Sequence, residues 1–253
     1  MDSMESRRNA IVELINKNGT VNFAQMKKAF PSVSEMTLRT DLKALDEAKR
    51  IVRIHGGAKS VQVVIGTDDF LNKRSIYNIQ AKKRIAEKAL KLLKPNTNIF
   101  LDSGSTTTEF ARLFPDQSNM IYTSGLTCAT ELANLEKPSV MLPGGRLNRY
   151  SLSVYGYAAI RELERVNFAQ TYLGVTSFSY DTGFTCGSND EAFLKQTAIR
   201  QSRQTIVLMD SSKIGAISSF NICNLEDIDI IVSDDLLPEE FISKCKQYNV
   251  TVL

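Results

Sequence analysis

The feature that most constrains this chain is the alternation of short apolar runs with helical patterns that begins near Asn98. A strand buried on both faces reads as a continuous apolar run, and two parallel strands need a crossover connection, usually a helix, between them. The alternation therefore predicts an α/β fold with a parallel sheet covered by helices on both faces. The predicted strands are 98–102, 120–123, 139–142, 168–174, 205–210 and 228–233. The predicted helices are 81–93, 106–113, 126–134, 191–202 and 238–246.

Polar and glycine-containing stretches follow several of these strands, at the edge of a parallel sheet where ligands bind. After the first strand, the run 102–107 places a glycine among hydroxyls at a helix start, which suits an anion. Ser103 or Ser105 would equally serve as an ordinary N-cap of that helix. Further such groups lie at 123–125, 144–146, 174–176 and 210–213.

Four charged residues near these ends suit a phosphorylated polyol. Asp102 and Asp210 each follow an apolar run directly, whereas Lys195 lies on a predicted helix and Lys213 follows a strand. Carboxylates and hydroxyls hydrogen-bond to sugar hydroxyls, and Lys, Arg and backbone N–H groups bind phosphate. Each lysine taken alone is also explained as a solvated surface charge. If the four residues converge, they predict a sugar-phosphate site.

The first 58 residues contain three short helical patterns. Asn22 and Ser34 are predicted N-caps of the second and third helices. Leu38, Leu42 and Leu45 give the third helix a buried stripe. Its opposite face carries hydroxyls, an arginine and a lysine, which are groups that reach base edges in the major groove of DNA. These residues are Thr37, Arg39, Thr40 and Lys43.

Residues 50–58 predict a β-wing after the third helix. Alternating Ile and Arg residues are followed by Gly56 and Gly57, a pattern typical of a short strand and a tight turn. Arg53 and His55 would lie beside the phosphate backbone of DNA. By periodicity alone, the segment is equally explained as a helical packing module with a solvated, charged face.

The distribution of charge is compatible with DNA binding, and the spacing of the cysteines argues against a metal site. Residues 1–60 carry a net charge of +4, although the whole chain carries only +3 at pH 7. A basic head fits a DNA-binding module, but chance clustering of surface lysines would look the same. The four cysteines show no Cys-x-x-Cys spacing and His55 is the single histidine, so we predict no metal, no cofactor and a reduced, cytoplasmic setting. No membrane partner is expected, because no apolar run approaches about 18 residues.

The N-terminal segment resembles the winged helix-turn-helix of the DeoR family. The matching words are Val33-Ser34, 37–42 (Thr-Leu-Arg-Thr-Asp-Leu) and 53–58 (Arg-Ile-His-Gly-Gly-Ala). Thr40 stands where the family usually has a second Arg, and Lys49-Arg50 replaces the usual Gly before the wing. The resemblance implies binding to double-stranded operator DNA. The expected DNA-binding residues are Ser34, Thr37, Arg39, Thr40, Lys43, Arg53, His55 and Gly56.

The rest of the chain resembles the sensor domain of the same family. The matching stretches are 101–107, Thr123-Ser124, 143–145, 192–195 and 210–213, with Ser124 where the family often has Asn. The resemblance implies a fold similar to ribose-phosphate isomerases and CoA transferases, a sugar-phosphate effector and a homo-oligomer, dimer or tetramer. The expected effector-binding residues are Asp102, Ser103, Gly104, Ser105, Thr106, Thr107, Ser124, Gly144, Gly145, Arg146, Lys195, Asp210 and Lys213.

We therefore predict a bacterial transcriptional repressor of sugar-metabolism genes that a phosphorylated sugar releases from its operator. Its expected parts are a DNA-binding domain over 1–58, a linker over 59–77 and an effector-binding α/β domain over 78–253. The alternative is a sugar-phosphate isomerase whose catalytic groups are a carboxylate base and a lysine. Such an enzyme does not need the N-terminal domain. A scaffold or interaction module would leave the wing motif and the strand-end polar groups unexplained.

Overall fold

A computed structural model describes residues 4–48, 50–54, 56–60 and 71–253 of the chain. The chain divides into two compact units, Met1–Thr67 and Asp68–Leu253. Each unit has buried apolar clusters of its own. Within the described ranges, no helix is long and apolar enough to cross a membrane.

The described part of the first unit combines helices with a small antiparallel sheet, as predicted for a winged helix-turn-helix. Strand β3 pairs with β2 to form the wing and also with β1, which is too short to show a strand pattern in the sequence. The predicted stripe of Leu38, Leu42 and Leu45 is buried. The elements are α1 (Met4–Asn18), β1 (Thr20–Asn22), α2 (Phe23–Ala29), α3 (Glu35–Glu47), β2 (Ile51–Ile54) and β3 (Gly57–Ser60).

Local capping determines where α2 and α3 begin. Asn22 Oδ1 accepts a hydrogen bond from the backbone N–H of Gln25 at 2.8 Å, and Gln25 Oε1 accepts one from the backbone N–H of Asn22 at 2.9 Å. Ser34 Oγ accepts a hydrogen bond from the backbone N–H of Thr37 at 3.1 Å. Both predicted N-caps are confirmed, and each satisfies a donor that a helix start leaves without an intrahelical partner.

The second unit is built on a seven-stranded sheet in which every neighbouring pair is parallel. Its first half contains α4 (Leu71–Ile76), α5 (Ile79–Leu90), β4 (Asn98–Leu101), α6 (Ser105–Arg112), β5 (Met120–Thr123), α7 (Leu126–Leu132), β6 (Ser139–Met141), β7 (Arg146–Asn148), β8 (Ser153–Tyr155) and α8 (Tyr157–Leu163). Its second half contains β9 (Gln170–Gly174), β10 (Ser177–Ser179), β11 (Gly183–Cys186), α9 (Asn189–Arg200), β12 (Thr205–Leu208), β13 (Phe220–Cys223), β14 (Ile230–Val232), α10 (Glu239–Gln247) and β15 (Thr251–Val252).

The strand order is β15-β14-β12-β9-β4-β5-β6, so β9 and β4 lie side by side within the sheet. Successive residues of β4 serve opposite faces: Ile99 and Leu101 join one apolar cluster, and Phe100 joins the other. Burial on both faces is why these strands read as continuous apolar runs. The predicted parallel α/β fold is confirmed.

Several short elements were not predicted. Strands β10, β11 and β13 form a separate antiparallel sheet, and β7 pairs with β8 as a hairpin. Helix α8 and strand β15 were also missed. Each is too short for a helical or alternating pattern to emerge from the sequence.

Regular elements occupy both ends of the predicted linker over 59–77. Residues 59 and 60 belong to β3, and α4 occupies 71–76 with Leu71 buried. A helix of six residues shows too little periodicity to be recognised. The predicted strand over 61–65 and turn over 66–69 lie outside the described residues. The division into 1–58, 59–77 and 78–253 stays a prediction.

Candidate functional site

A polar pocket lies at the carboxyl ends of β4 and β9, the edge that the fold makes available to ligands. It encloses about 530 Å³ of space that is continuous with solvent. Hydroxyls, glycines and cations dominate its wall. The lining residues are Arg74, Ser103, Gly104, Ser105, Thr106, Ser151, Gly174, Val175, Thr176, Cys186, Glu191, Lys195 and Lys213.

The start of α6 forms one wall of the pocket. Gly104 has φ of +135°, a backbone conformation that favours glycine, and it precedes the first helical residue, Ser105. No side chain caps this helix start, so the alternative of ordinary capping by Ser103 or Ser105 is wrong. Its N–H groups and the positive end of the helix dipole are therefore available to an anion.

A buried ion pair between Lys195 and Asp102 lies next to this wall of the pocket. Lys195 Nζ donates to Asp102 Oδ2 and, at 2.8 Å, to the carbonyl of Gly174. The backbone N–H of Gly174 donates to Asp102 Oδ2 at 2.9 Å. Burial opposes the charge of Lys195, but the attraction of Asp102, together with that of Cys186 and Glu191, outweighs it and raises the pKa of the lysine. Asp102 thus positions Lys195 and lies outside the lining, whereas Lys195 reaches the pocket.

Asp210 and Lys213 also differ in placement. Asp210 is fully buried outside the lining; its Oδ1 accepts hydrogen bonds from Asn78 at 3.2 Å and from Ser212, and its Oδ2 has no partner. Lys213 lines the pocket and has no salt bridge within the described residues. Burial lowers the pKa of Lys213; Asp210 opposes this shift, and Arg74 adds to it. Lys213 thus forms no salt bridge among the described residues, and the attraction of Asp210 only partly offsets the effect of its burial.

Sequence reasoning missed Glu191, which the fold brings to the pocket. Its Oε1 accepts hydrogen bonds from Ser151, from Ser153 at 2.6 Å and from Asn148 at 3.3 Å. Its Oε2 accepts none from the described residues and is not sealed from solvent. Glu191 precedes Lys195 by four residues and so shares its helix face, a signal that was present in the sequence.

Arg74 and Ser151 were missed as well, and their signals are weaker. Arg74 falls in the predicted linker, and Ser151 in the hairpin connection that was not predicted. Gly174 and Thr176, identified as strand-end groups, do line the pocket together with Val175. No local pattern in the sequence joins Arg74 to this site.

Besides Asp102 and Asp210, five further expected effector residues lie outside the pocket lining. Thr107 Oγ1 donates to the carbonyl of Gly104 at 3.0 Å, and Ser124 Oγ is buried without a hydrogen-bond partner. Gly144, Gly145 and Arg146 are exposed around the start of β7. A role for these five in binding stays a prediction without support from the pocket geometry.

The expected DNA-binding residues of α3 form an exposed face. Arg39, Thr40 and Lys43 are exposed, and Thr37 is half-buried with its hydroxyl 2.8 Å from that of Ser34. The Arg39 guanidinium lies 4.4 Å from the centroid of the Phe23 ring, which holds the arginine over α2. The arrangement suits insertion of α3 into a major groove.

The wing contributes a second exposed edge. Arg53 and Gly56 are exposed, and Gly56 has φ of +77°, so a residue with a side chain would be strained at this turn. His55 lies outside the described residues. The wing can therefore present Arg53 to a phosphate backbone.

Asp41, which sequence reasoning did not single out, ties α3 to α1. Its Oδ2 accepts a hydrogen bond from Arg7 Nε at 2.6 Å, and its Oδ1 accepts one from Arg8 Nε at 2.9 Å. Burial alone would raise the pKa of Asp41, but the two arginines outweigh it and hold the pKa below its ordinary value. The pair of contacts positions the exposed face of α3.

A winged helix-turn-helix followed by a parallel α/β unit with a polar pocket at its strand ends is the architecture of a ligand-responsive DNA-binding regulator. Residues 7–64 match the DeoR-like helix-turn-helix domain, and residues 77–235 match the DeoR C terminal sensor domain. The chain belongs to the DeoR family. It is accordingly a DNA-binding transcriptional regulator rather than an enzyme, and the isomerase alternative is not retained.

Relatives match along nearly the whole chain. The uncharacterized HTH-type transcriptional regulator YulB of Bacillus subtilis is 33% identical over 97% of this chain and 95% of its own length. The putative aga operon transcriptional repressor of Escherichia coli O157:H7 is 30% identical over 98% of this chain and 92% of its own length. A solved structure of ribose 5-phosphate isomerase A from Methanocaldococcus jannaschii is similar with a TM-score of 0.40 and 17% identity, over 54% of this chain and 55% of that one.

Proposed function

We propose that this regulator is a repressor of sugar-metabolism genes whose second unit binds a phosphorylated sugar, and that this effector releases the first unit from operator DNA. The observation that carries the ligand class is the pocket wall, where the uncapped start of α6 faces Lys213, a cation without a salt-bridge partner among the described residues. Phosphate is the anion that such a combination suits.

The remaining wall of the pocket suits a polyol. The free oxygen of Glu191 accepts a hydrogen bond from a sugar hydroxyl, and the hydroxyls of Ser103 and Ser151 provide further partners. Lys195 is kept charged by Asp102 and adds a second cation to the site. A neutral sugar would leave Lys213 without a salt-bridge partner among the described residues, so the phosphate is an essential part of the effector.

On DNA, we assign base contacts to α3 and backbone contacts to the wing. Thr37, Arg39, Thr40 and Lys43 face the major groove, and Arg53 with His55 and Gly56 approaches the phosphates. Under this proposal, DNA binding belongs to residues 1–58 and effector binding to 78–253, with Arg74 as an addition from the intervening segment. Repression agrees with the description of the Escherichia coli relative as an operon repressor.

We also propose that the protein acts as a dimer or tetramer on a palindromic operator. Two-fold symmetry in the protein matches two half-sites in DNA. Light scattering after size-exclusion chromatography checks this directly. A monomer that binds a single half-site with full affinity would refute it.

The test of the proposed function is fluorescence anisotropy of labelled DNA from upstream of the protein's own gene, at two salt concentrations, with a panel of sugar phosphates. We expect salt-sensitive operator binding that one sugar phosphate abolishes. Lys213→Ala should bind the operator normally but need about tenfold more effector, whereas Lys137→Ala, an exposed lysine elsewhere in the unit, should match the unchanged protein. Binding that no sugar phosphate alters would refute the ligand class, and binding that one of them strengthens would refute release by the effector.

A further inference from the structure

Arg74 lines the pocket with hydrogen-bonding capacity to spare. Among the described residues, its buried Nε finds no hydrogen-bond partner and its guanidinium forms no salt bridge. A guanidinium offers five N–H donors in a planar fork that matches a phosphate. A buried donor without an acceptor is disfavoured, so a site of this kind gains by receiving an anion.

The surroundings of Arg74 are rich in positive charge. Lys82 Nζ donates to the carbonyls of Arg74, at 2.5 Å, and of Tyr77, and Lys213 lines the same pocket. The charge of Arg74 helps to lower the pKa of both lysines, although burial is the larger cause. Asp210 attracts both lysines, and Glu109 attracts Lys82, but neither carboxylate forms a salt bridge with them among the described residues. An incoming dianion would relieve the repulsion among the three cations.

Arg74 also occupies a particular place along the chain. The second unit begins at Asp68, and α4, which carries Arg74, is its first described element. The start of α4 is anchored by the backbone N–H of Leu71, which donates to the carbonyl of Tyr150 at 2.7 Å, and its end by Lys82. A ligand held by Arg74 therefore acts on the part of the sensor unit that follows the connection to the DNA-binding unit.

We propose that Arg74 binds the phosphate of the effector directly and, through α4, couples effector binding to release of DNA. This inference rests on the proposed function and adds to it a residue that binds the phosphate and a helix that transmits the binding. An effector shifts the DNA-binding equilibrium only if its contacts differ between the DNA-bound and the DNA-free conformation of the protein. We assign such a contact to Arg74.

The test uses the full-length protein with three substitutions: Arg74→Gln, Arg74→Lys and, as the matched control, Arg84→Gln, an exposed arginine on α5. The first measurement is isothermal titration with inorganic phosphate and with the sugar phosphates of the panel. We expect Arg74→Gln to weaken binding about 10- to 100-fold, Arg74→Lys to recover part of the loss and Arg84→Gln to change nothing. Thermal unfolding without ligand confirms that the variants are folded.

The second measurement is release of operator DNA at saturating effector. We expect Arg74→Gln to bind operator with unchanged affinity and to release less of it even when the pocket is full. Unchanged phosphate affinity in Arg74→Gln, or complete release at saturation, would overturn the inference while leaving the proposed function intact. If neither inorganic phosphate nor any sugar phosphate binds the unchanged protein, the proposed function and this inference fail together.

Discussion

At the scale of single residues, the pocket is a set of cations with few counter-ions. Lys195 lines the pocket with Asp102 as its salt-bridge partner, and Lys213 lines it with no salt bridge within the described residues. Lys82 lies outside the lining and donates to the backbone carbonyl of Arg74, which is a lining residue. Removing charged groups from water is costly unless they are paired. The site therefore favours an anion, and its affinity for that anion depends on the protonation of the nearby lysines.

The first prediction concerns the pH dependence of effector binding. Burial, with a further contribution from Lys213, lowers the pKa of Lys82 to about 8. An anion favours the protonated lysine, so binding takes up a proton where Lys82 is partly neutral, and affinity falls as the pH rises through 8. Isothermal titration on both sides of pH 8, in buffers with different heats of ionisation, measures this change.

The expected slope is at most about tenfold in affinity per pH unit for one coupled proton. Lys82→Met keeps much of the side-chain volume but cannot titrate, so its affinity should vary less with pH. An affinity that stays constant through this range in the unchanged protein would contradict the prediction.

The second prediction concerns the buried pair of Asp102 and Lys195. Asp102→Asn or Lys195→Met alone leaves one buried group without its partner, which costs about 3–5 kcal/mol of unfolding free energy. The double variant should cost less than the sum of the two, because neither charge remains. Urea unfolding of the four proteins gives the coupling, and additive losses would show that the pair does not act as a unit.

At the scale of elements, the orientation of α3 depends on one acidic residue that does not face DNA. Asp41 is buried and accepts hydrogen bonds from Arg7 and Arg8 on α1, while Arg39 and Lys43 remain on the exposed side of the helix. The DNA-binding face is thus positioned by contacts on the opposite side of the same helix. Loss of that anchor should affect DNA binding without removing a DNA contact.

The third prediction follows from this anchor. Asp41→Ala should destabilise the first unit by about 1.5–3 kcal/mol, the range for hydrogen bonds to charged groups, and weaken operator binding. The salt dependence of that binding should stay the same, because no phosphate contact is lost. Glu47→Ala is the control on the same helix. Glu47 is exposed and its Oε1 lies 3.9 Å from Lys43 Nζ, so its loss should change the free energy of unfolding by about 0.5 kcal/mol or less.

The pH dependence of this anchor has a defined sign. Because the pKa of Asp41 is lowered in the folded state, its contribution is present above the ordinary pKa of an aspartate and is lost as the pH falls through the folded value. The free energy of unfolding of the first unit should therefore fall more steeply on acidification in proteins that keep Asp41 than in Asp41→Ala, and the two should converge at low pH. A salt slope that changes with Asp41→Ala would show instead that Asp41 acts on DNA directly.

At the scale of the whole molecule, the chain carries two separately built units. The first has one apolar cluster, and the second has clusters on both faces of its sheet. A unit with its own core can unfold cooperatively by itself. A ligand stabilises only the unit that binds it.

The fourth prediction is therefore that calorimetry shows two unfolding transitions. The releasing sugar phosphate should raise the midpoint of the sensor unit, by an amount equivalent to about 2.7 kcal/mol at one hundred times its dissociation constant. The other midpoint should stay in place. A single transition, or an equal rise in both, would contradict the prediction.

The sequence by itself determined the elements that depend on neighbours along the chain. Asn22 and Ser34 cap helices that start one residue later. The strands were predictable because the apolar run that marks each one lies within the strand itself. The same local logic predicted a helix start at Gly104 and Ser105 that would suit an anion, and short elements such as β1 escaped it because they carry too little pattern. Class, family and much of the pocket wall followed from such local evidence.

The tertiary structure alone decided which of the predicted residues meet. Arg74, Ser151 and Glu191 are far apart in the chain, and they join Ser105 because the order of strands in the sheet places their elements around one edge. The same packing buried Asp102 and Asp210 behind the wall that they were expected to line. Strand order and burial arise from packing among distant segments, and no pattern within a single segment encodes them.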